Sequence, residues 1–550
     1  MRVWVLSLLL LGTVGVAAAI VITQSSELGI AGNSPAAEHV EQETLRQLVA
    51  TGQRDEAFEA AFDGGDELFE TVFNSLDGVG ANVGGGQRFT SVPRADLRGN
   101  GEWFNHQPAR FTGPNASSCI SCHARPFDDG AGDPSTAVHR DPLRNGNLAQ
   151  FIQRDTPPLF GLGGVQRVAE EMTAELQRQQ ESLRQQLCQR GGTASVNLSA
   201  KNVSFGTLSG TRSRNNPCSV NFNTDGVRGV DTNLVVRPFQ WKGSVATLRE
   251  FVRDASHNEL GMQAVELVGD GIDGDSDGVT GELTVGDVTA MSVYLAAQPR
   301  PTTLLELASL DLIEPLPATQ INAINRGRQV FSQIGCDSCH TPSMTLDDPT
   351  FAEPSRNAAY RDARFPAGQN PQSRGVDAQF AVTFDLTRDQ PDNHVDGPDG
   401  LYRLGSLRRD RNGRATVEMF TDLKRHEMGP QLAEAVNEVE GNRQTPSTWL
   451  TKSLWGVGST APYMHDGRAT TLVEAILEHA TGNANDTSEA ADARRRYVGL
   501  PAGEKQALIA FLDNLVIFKL AEEAGQPVAT IAPNDVTLRV PRGRTHRRTR

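Results

Sequence analysis

The sequence predicts a mainly α-helical protein made of two similar tandem units with long loop insertions. Three observations carry this prediction. A C-x-x-C-H spacing occurs at residues 119–123 and again at 336–340. Short stretches around the two motifs recur in the same order along the chain, which indicates that one unit was duplicated. Apolar residues three and four positions apart, the period of an amphipathic helix, surround the motifs.

Each C-x-x-C-H motif has the spacing that attaches a haem c through two thioether bonds. Two thiols separated by two residues each add to one vinyl group of the porphyrin, and the adjoining histidine becomes an axial ligand of the iron. The motifs therefore predict two covalently bound haem c groups. The attachment residues are Cys119, Cys122 and His123 for the first haem, and Cys336, Cys339 and His340 for the second.

Paired cysteines also occur in zinc sites and in redox dithiols. A zinc site would take four thiolates from the two motifs, whereas a dithiol would need one pair of cysteines only. Neither alternative explains why a histidine follows each pair directly. Haem attachment accounts for all three residues of each motif, and we prefer it for that reason.

The N-terminus has the layout of an export signal. One basic residue, an apolar run and small residues at 17–19 precede a polar continuation. This order is typical of a secretory signal peptide at residues 1–23, although the apolar run is also nearly long enough to remain as a membrane anchor. Because haem is normally attached to cysteine outside the cytoplasm, we expect a periplasmic or extracellular protein that reaches a membrane only through such an anchor.

The two remaining cysteines fit an exported chain. Cys188 and Cys218 form an even pair within one polar segment. In an oxidising compartment such a pair most simply forms a disulfide. Two buried free thiols are the alternative.

The length of the chain indicates how many domains to expect, and its net charge indicates the class of partner. The chain has 550 residues, which exceeds one ordinary domain, and its 53 glycines and 29 prolines indicate long loops. The net charge of −15 argues against a nucleic-acid partner. It would instead attract basic protein partners at long range.

The repeated stretches set the expected domain boundaries. "GDELF" (65–69) and "GRQVF" (327–331) each predict a helix ahead of a haem motif, and residues 502–520 predict a closing amphipathic helix. The predicted organisation is a signal peptide or anchor at 1–23, an N-terminal helical segment at 24–60, a first cytochrome-c-like haem domain at 61–315 with an insert at about 165–235, a second at 320–520 with an insert at about 341–420, and a disordered basic tail at 525–550.

A helix after the "HDG" turn offers an outer axial ligand for the second haem. Thr471 and Glu474 have capping-box spacing at its start, and His479 lies on its apolar face. A histidine in such a place is more often a core residue, and Met464 and His465 compete for the same role. The choice matters because a second strong ligand makes a haem an electron carrier, whereas an open position makes it a catalyst.

The stretch "GDGIDGDSDGVTGE" resembles the start of a calcium-binding loop. Its D-x-D-x-D-G order supplies carboxylate oxygens at the usual spacing, but the closing acid comes earlier than in a full EF-hand. An acidic turn without a metal ion is the alternative. The candidate calcium ligands are Asp273, Asp275, Asp277 and Glu282.

Taken in order, the motifs resemble the bacterial di-haem cytochrome c peroxidase superfamily, and most closely its di-haem oxidoreductases, which are also called thiol oxidoreductases. The stretches that carry the resemblance are the two C-x-x-C-H motifs, "FQWKG", "DLKRHEMGP" and "APYMHDGRATTLVEAILEH". The resemblance covers about residues 60–520. It implies a peroxidase-type enzyme in which an open first haem binds peroxide or dioxygen. The second haem would store electrons from an external donor such as a small cytochrome or cupredoxin.

The resemblance also implies roles for single residues. His479 matches the distal ligand of the second haem, which would then be bis-histidine. Trp241 matches a tryptophan that relays electrons between the haems; taken alone, the residue would be an ordinary core aromatic. Glu259 matches an acid/base group above the first haem, with His257 as an alternative. The same enzymes hold calcium between their domains, which favours a metal in the acidic loop.

One residue departs from the peroxidase pattern. Phe251 stands where the peroxidases carry a glutamine. This leaves open an oxygenase or oxidase that acts on an organic or protein substrate. A non-catalytic electron-transfer cytochrome c is the alternative outside the enzymes.

Overall fold

The computed structural model contains more helix than strand. It describes residues 34–80, 115–124, 130, 137–140, 150–213, 218–274, 277–361, 375–388, 390, 394–397, 400–436 and 444–518. Of the described residues, 38% are helical and 16% lie in strands. The predicted signal or anchor at 1–23 and the basic tail at 525–550 lie outside these ranges. Among the helices inside them, none has the length and apolarity to cross a membrane.

The helices are distributed along the whole described chain. They are α1 (Gln42–Ala50), α2 (Arg54–Glu70), α3 (Leu162–Arg190), α4 (Leu248–Ala255), α5 (Val265–Val268), α6 (Val285–Ala297), α7 (Leu304–Ser309), α8 (Ala318–Gln333), α9 (Leu472–Glu478), α10 (Ala491–Val498) and α11 (Ala502–Asp513). A π-helical turn at Ser256–Leu260 directly follows α4. Helix α2 runs across residue 60, where the sequence places the end of the N-terminal segment.

The strands are short and pair in small antiparallel sheets. They are β1 (Ala137–Arg140), β2 (Ile152–Asp155), β3 (Thr193–Ala200), β4 (Val203–Arg212), β5 (Val220–Asn223), β6 (Thr302–Thr303), β7 (Met344–Leu346), β8 (Thr350–Glu353), β9 (Val382–Asp385), β10 (His394–Gly397), β11 (Gly400–Arg403), β12 (Arg408–Arg409), β13 (Ala415–Val417), β14 (Arg425–Glu427), β15 (Thr448–Leu450) and β16 (Leu515–Val516). The three-stranded sheets have the orders β3-β4-β5 and β12-β13-β7. The remaining strands form the pairs β1-β2, β6-β16, β8-β9, β10-β11 and β14-β15.

Most of the described strands lie in the two segments that the sequence predicts as loop insertions. The first insert contains the β3-β4-β5 sheet, which packs on the long helix α3. Along β4, Val203, Phe205 and Leu208 are buried, and they share one apolar core with Leu183 and Leu187 of α3. The expected mainly helical character therefore describes the parts of the chain around the haem motifs better than the inserts.

Two pairs of crossing helices repeat the same contact next to the two haem motifs. Helix α2 crosses α6 at Gly65, where a Cβ atom would collide with the carbonyl oxygen of Ala290. One turn further along α2, the ring centroid of Phe69 lies 5.4 Å from that of Tyr294. The absence of a side chain at Gly65 thus lets the two helix backbones approach closely.

The second pair has the same arrangement. Helix α8 crosses α11 at Gly327, where a Cβ atom would collide with the carbonyl oxygen of Ala507. Phe331 then meets Phe511 with ring centroids 5.4 Å apart. "GDELF" and "GRQVF" therefore form the matching helices that the sequence predicts ahead of the haem motifs.

A second repeated element follows each haem motif. In one copy, Thr247 accepts a hydrogen bond from the backbone N–H of Glu250 and caps α4. In the other, Thr471 and Glu474 form a complete capping box at the start of α9, as their spacing predicts. Both helices are preceded by a turn with one non-glycine residue in the left-handed region, Gln240 or Met464. The two elements thus share their local structure as well as their sequence.

The closing helix is shorter than the sequence predicts. Helix α11 ends at Asp513, whereas the apolar pattern extends to residue 520. Leu515 and Val516 leave the helix and pair as β16 with Thr302 and Thr303 of β6. The carbonyl oxygen of Asn514 accepts a bond from Leu304 at 3.0 Å. This strand pairing supplies the backbone hydrogen bonds that further helix would have made.

The apolar residues gather into two main cores. The larger core surrounds α2, α3, α4 and α6 and extends into both inserts. A smaller one joins α8, α9 and α11 around the second haem motif. From Pro35 onward, however, the chain forms a single unit of contacts. The division into two tandem haem domains therefore stays a prediction, which the repeated helix pairs favour.

We expect Gly327→Ala to destabilise the protein because the added methyl group would push α8 away from α11. Overpacking of this kind typically costs about 1–3 kcal/mol of unfolding free energy. Denaturant unfolding of the purified protein would measure the change. Gly503→Ala is the matched control: Gly503 also lies in a helix, but no atom lies within 4 Å of an added Cβ. This control should be neutral or slightly stabilising, and an equal loss in both variants would contradict the close crossing.

Candidate functional site

Both C-x-x-C-H motifs fold into the same tight turn. In the first, the N–H of His123 donates to the carbonyl oxygen of Cys119 at 3.1 Å; in the second, His340 donates to Cys336 at 3.0 Å. Each histidine ring lies near the phenylalanine of the preceding helix. The centroid distance is 6.2 Å for His123 and 6.4 Å for His340. The two predicted haem-attachment segments therefore have closely similar conformations and surroundings.

The structure places His340 and His479 opposite each other across a gap. Their ring centroids are 6.4 Å apart. The Nδ1 atom of His340 is hydrogen-bonded to the carbonyl oxygen of Phe420 at 3.1 Å, and that of His479 to Ala475 at 2.7 Å. These bonds fix both rings and leave the Nε2 atoms as the available ligand atoms. Two metal–nitrogen bonds of about 2 Å each would span such a gap.

The protonation of these two histidines suits metal ligation. Burial lowers the pKa of His340 to about 4 and also lowers the pKa of His479. Both rings are therefore neutral near pH 7, which is the form that binds iron. The pair thus fits two axial ligands of one haem iron.

Burial changes the acidity of the first thiol of each motif. Burial raises the pKa of Cys119 and of Cys336 to about 12. A neutral buried thiol is a poor nucleophile, which argues against a reactive dithiol. Within the described ranges, the cysteines of the two motifs do not gather around one point. These observations favour thioether attachment over both alternatives.

The two cysteines of the first insert lie side by side but are not bonded to each other. The Sγ atom of Cys188 is 3.3 Å from the carbonyl oxygen of Cys218, and no disulfide bond joins the two residues. Hydrogen bonding with Cys218 raises the pKa of Cys188. The predicted disulfide is therefore not formed in this structure, although the chain brings its two partners together.

A cavity of about 310 Å³ connects the second motif with residues from the first half of the chain. It is lined mainly by apolar and aromatic side chains, as expected for a pocket that holds a large flat cofactor. The polar and aromatic groups on its wall include Trp241, Cys336, Cys339, His340, His426, Trp449, Lys452, Trp455, Met464, His465 and His479. Trp241, which the resemblance implies as a relay, thus lines the same cavity as both histidines.

Trp241 is held in place by its indole nitrogen and by its backbone. The Nε1–H donates to the carbonyl oxygen of Asp155 at 3.0 Å. The carbonyl oxygen of Trp241 accepts from the backbone N–H of Leu450 at 3.2 Å. These bonds join segments from both halves of the chain and fix the orientation of the ring at the cavity wall.

The competing candidates for the distal ligand have other surroundings. The ring of His465 stacks on Trp449 with centroids 3.8 Å apart, and burial lowers its pKa to about 3. Met464 also lines the cavity, at a backbone position with φ of 73°. Of these candidates, the one that the structure sets against His340 is His479.

Sequence reasoning missed His426, which lies beside the second motif. Its Nε2 is 2.8 Å from a carboxylate oxygen of Asp422, and its Nδ1 is 2.8 Å from one of Glu489. Burial opposes a charge on this ring, but hydrogen bonds with Asp422, Cys339 and Glu489 outweigh it and raise its pKa to about 11. His426 is therefore an imidazolium held between two carboxylates.

His426 also belongs to a cluster of potential metal ligands. Among the described residues, Cys339, Asp422 and His426 are the group whose ligand atoms all lie within 4.8 Å of one another. Because Cys339 belongs to a haem-attachment motif, its sulfur is committed to a thioether in the haem interpretation. The i,i+4 spacing of Asp422 and His426 within "DLKRHEMGP" was a usable signal for the pair, whereas Glu489 comes from a distant part of the chain.

The structure brings Glu259 next to the first haem motif. It lies on the π-helical turn after α4, half-buried. Its carboxylate accepts a hydrogen bond from the side-chain amide of Asn115, four residues before Cys119. Its carbonyl oxygen accepts from the backbone of Asn115 at 2.8 Å. The placement agrees with the region that the resemblance implies, and the acid/base role stays a prediction.

The acidic loop uses its described carboxylates to bind the protein's own N–H groups. Asp273 accepts bonds from the backbone of Asp277 and Gly278 at 3.2 and 3.1 Å. Glu282 is buried and accepts from the backbone N–H of Gln263 at 2.8 Å. Asp275 lies outside the described residues. Calcium binding by this loop therefore stays a prediction.

Comparisons with known proteins add an independent observation. Residues 411–515 match the family described as "Di-haem oxidoreductase, putative peroxidase". This range contains "DLKRHEMGP", the "HDG" turn, His479 and α11. A comparison with curated proteins gave no match.

One solved structure that the chain is similar to is a MauG-like protein associated with microbial copper homeostasis. The sequences are 18% identical, and the match covers 53% of this chain and 70% of that chain, with a TM-score of 0.25. The family match does not depend on this likeness. Residues 411–515 are similar to the di-haem oxidoreductases, and this match supports the resemblance that the motifs indicate.

Proposed function

We propose that the chain is an exported di-haem c-type oxidoreductase that reduces peroxide at the first haem and uses the second haem as an electron store. One observation carries this proposal. When the capping threonines Thr247 and Thr471 are matched, His479 at the end of α9 corresponds to Ala255 at the end of α4. A methyl side chain cannot bind iron, so the equivalent position at the first haem is left for a small molecule.

The residues of the proposed site have three roles: they attach the haems, bind the iron or transfer protons. Cys119 and Cys122 hold the first haem, with His123 as its single protein ligand. A haem with an open axial position supplies redox chemistry towards peroxide or dioxygen, whereas one with two strong ligands carries electrons. Glu259 is placed beside the first motif, where its carboxylate can move a proton between the two oxygens of a peroxide.

Reduction of hydrogen peroxide to two water molecules takes two electrons and two protons. We assign the electrons to an external donor such as a small cytochrome or cupredoxin. The net charge of −15 would attract a basic donor at low ionic strength. Trp241, on the wall of the cavity that His340 and His479 share, is the proposed relay from the second haem to the first.

Two alternatives differ in measurable ways. Phe251 packs against Phe239, with ring centroids 6.0 Å apart, so an apolar group stands where the peroxidases carry a glutamine. This favours an oxygenase or oxidase with an organic or protein substrate as the second candidate. A non-catalytic electron-transfer cytochrome would instead have two six-coordinate low-spin haems and would not react with peroxide. Electron paramagnetic resonance of the mature protein separates the two classes.

We expect the mature chain to carry two haems, bound through the four cysteines of the motifs. Pyridine haemochrome spectra and intact mass should show two haems in the wild type and one after Cys336→Ala combined with Cys339→Ala. Cys188→Ala combined with Cys218→Ala is the matched control and should keep both haems. One haem or none in the wild type would refute the proposed function.

His479→Ala should convert the second haem from low spin to high spin because it removes one of two axial imidazoles. The low-spin signal in electron paramagnetic resonance should be lost while haem content stays at two. His465→Ala changes a histidine of the same cavity that stacks on Trp449, and it should leave the low-spin signal in place. Retention of that signal in His479→Ala would show that another residue, such as Met464, is the ligand.

Glu259→Gln should slow the reaction with hydrogen peroxide by about 10²–10⁴-fold because the amide cannot transfer the proton. Stopped-flow spectroscopy of the reduced protein measures this rate. Glu67→Gln makes the same chemical change at a solvent-exposed carboxylate of α2 and should not alter this rate. A normal rate in Glu259→Gln would transfer the acid/base role to another group, with His257 as the nearest in sequence.

A further inference from the structure

Lys452 places an amine beside the proposed relay tryptophan, on the wall of the cavity. It follows β15, and its side chain is half-buried. Its Nζ atom lies 5.1 Å from the ring centroid of Trp241. The same cavity is lined by His340 and His479. Lys452 therefore lies next to Trp241 on the wall of the cavity that both histidines line.

Two other lysines with little exposure to solvent, Lys242 and Lys201, have carboxylate partners. Lys242 is buried, and its Nζ lies 3.3 Å from a carboxylate oxygen of Glu434 and donates to the carbonyl oxygen of Pro446 at 2.9 Å. The Nζ atom of Lys201 lies 2.6 Å from a carboxylate oxygen of Glu171. For Lys452, by contrast, none of the described residues supplies a carboxylate within ion-pair distance. Burial lowers the pKa of Lys452 to about 8.

A half-buried ammonium group without a counter-charge is costly, and proteins usually pair such a group. Because Lys452 lines the cavity, a group bound in the cavity is well placed to supply this partner. A haem carries two propionate carboxylates, so the cofactor that the two histidines would ligate also supplies the anion that the protein lacks. We propose that Lys452 forms an ion pair with a propionate of the haem attached at Cys336 and Cys339. This inference rests on the proposed function.

Such an ion pair acts on the second haem as a positioning contact and as a source of charge. It fixes one edge of the haem beside Trp241, the residue proposed to receive its electrons. Because ferric haem carries one more positive charge than ferrous haem, a nearby cation disfavours the ferric state. Lys452 is thus expected to raise the midpoint potential of the second haem.

The test is a redox titration of the mature protein, followed at the low-spin signal of the second haem. Lys452→Met removes the charge but keeps an apolar stem, and it should lower the midpoint potential. Lys452→Arg keeps the charge and should restore a value close to that of the wild type. Lys505→Met is the matched control: the Nζ of Lys505 lies 5.6 Å from the ring centroid of Tyr497, and this lysine is not part of the cavity wall. Its variant should titrate like the wild type.

The outcomes separate this inference from the proposed function. An unchanged midpoint potential in Lys452→Met, with both haems attached and the low-spin signal intact, overturns the ion pair alone. Fewer than two haems in the wild type overturns the proposed function itself. If the Met variant matures poorly, Lys452→Gln is used in its place, and the same lowering is expected.

A free anion from solution, such as phosphate, is the alternative partner for Lys452. In that case the wild-type midpoint potential would change with inorganic phosphate at constant ionic strength, and Lys452→Met would abolish the dependence. A haem propionate is covalently part of the cofactor, so the potential should not respond to phosphate. A phosphate dependence that disappears in the variant would therefore overturn the propionate as the partner.

Discussion

The close approach of two helix backbones at a glycine is the constraint on which both halves of the structure depend. At Gly65 and again at Gly327, a carbonyl oxygen of the crossing helix occupies the space of a side chain. The approach brings an aromatic residue, Phe69 or Phe331, against the partner helix one turn later. These same phenylalanines lie next to the histidines of the two haem motifs. Each glycine thus helps to position the haem motif that contacts the following phenylalanine.

The two halves differ at the ends of the capped helices α4 and α9. The capped helices α4 and α9 begin alike, but α9 ends in His479 and α4 ends in Ala255 before it continues into a π-helical turn. Short π-helical segments are often found at functional sites because the extra residue reorients the side chains that follow. Here that turn brings Glu259 to the first motif. The two elements therefore share the cap at the start of the helix and differ in the residue at its end, His479 or Ala255.

The sequence predicted what depends on local spacing. The two C-x-x-C-H turns, the helices ahead of them and the cap at Thr471 all follow from residues within one or two turns of each other. It missed what depends on distant pairing: the Glu489 partner of His426, the cavity position of Lys452 and the pairing of Leu515 with β6. It also missed the strands of the first insert, which it predicts as a loop insertion. The segment is rich in Gln, Ser and Asn, a composition that is more typical of loops than of strands.

The junction between the two halves helps to hold the chain from Pro35 onward in a single unit of contacts. Trp241 and His465 occupy matching positions in "FQWKG" and "YMHDG", and both are anchored at Asp155: its carbonyl oxygen accepts from the indole of Trp241 at 3.0 Å, and its N–H donates to the carbonyl oxygen of His465 at 2.8 Å. The repeated turns therefore meet at one residue of β2 and share one cavity wall. An imidazole is harder to oxidise than an indole, so Trp241 is the one of these two rings that suits the proposed electron relay. The matching turns place both rings at the junction between the halves.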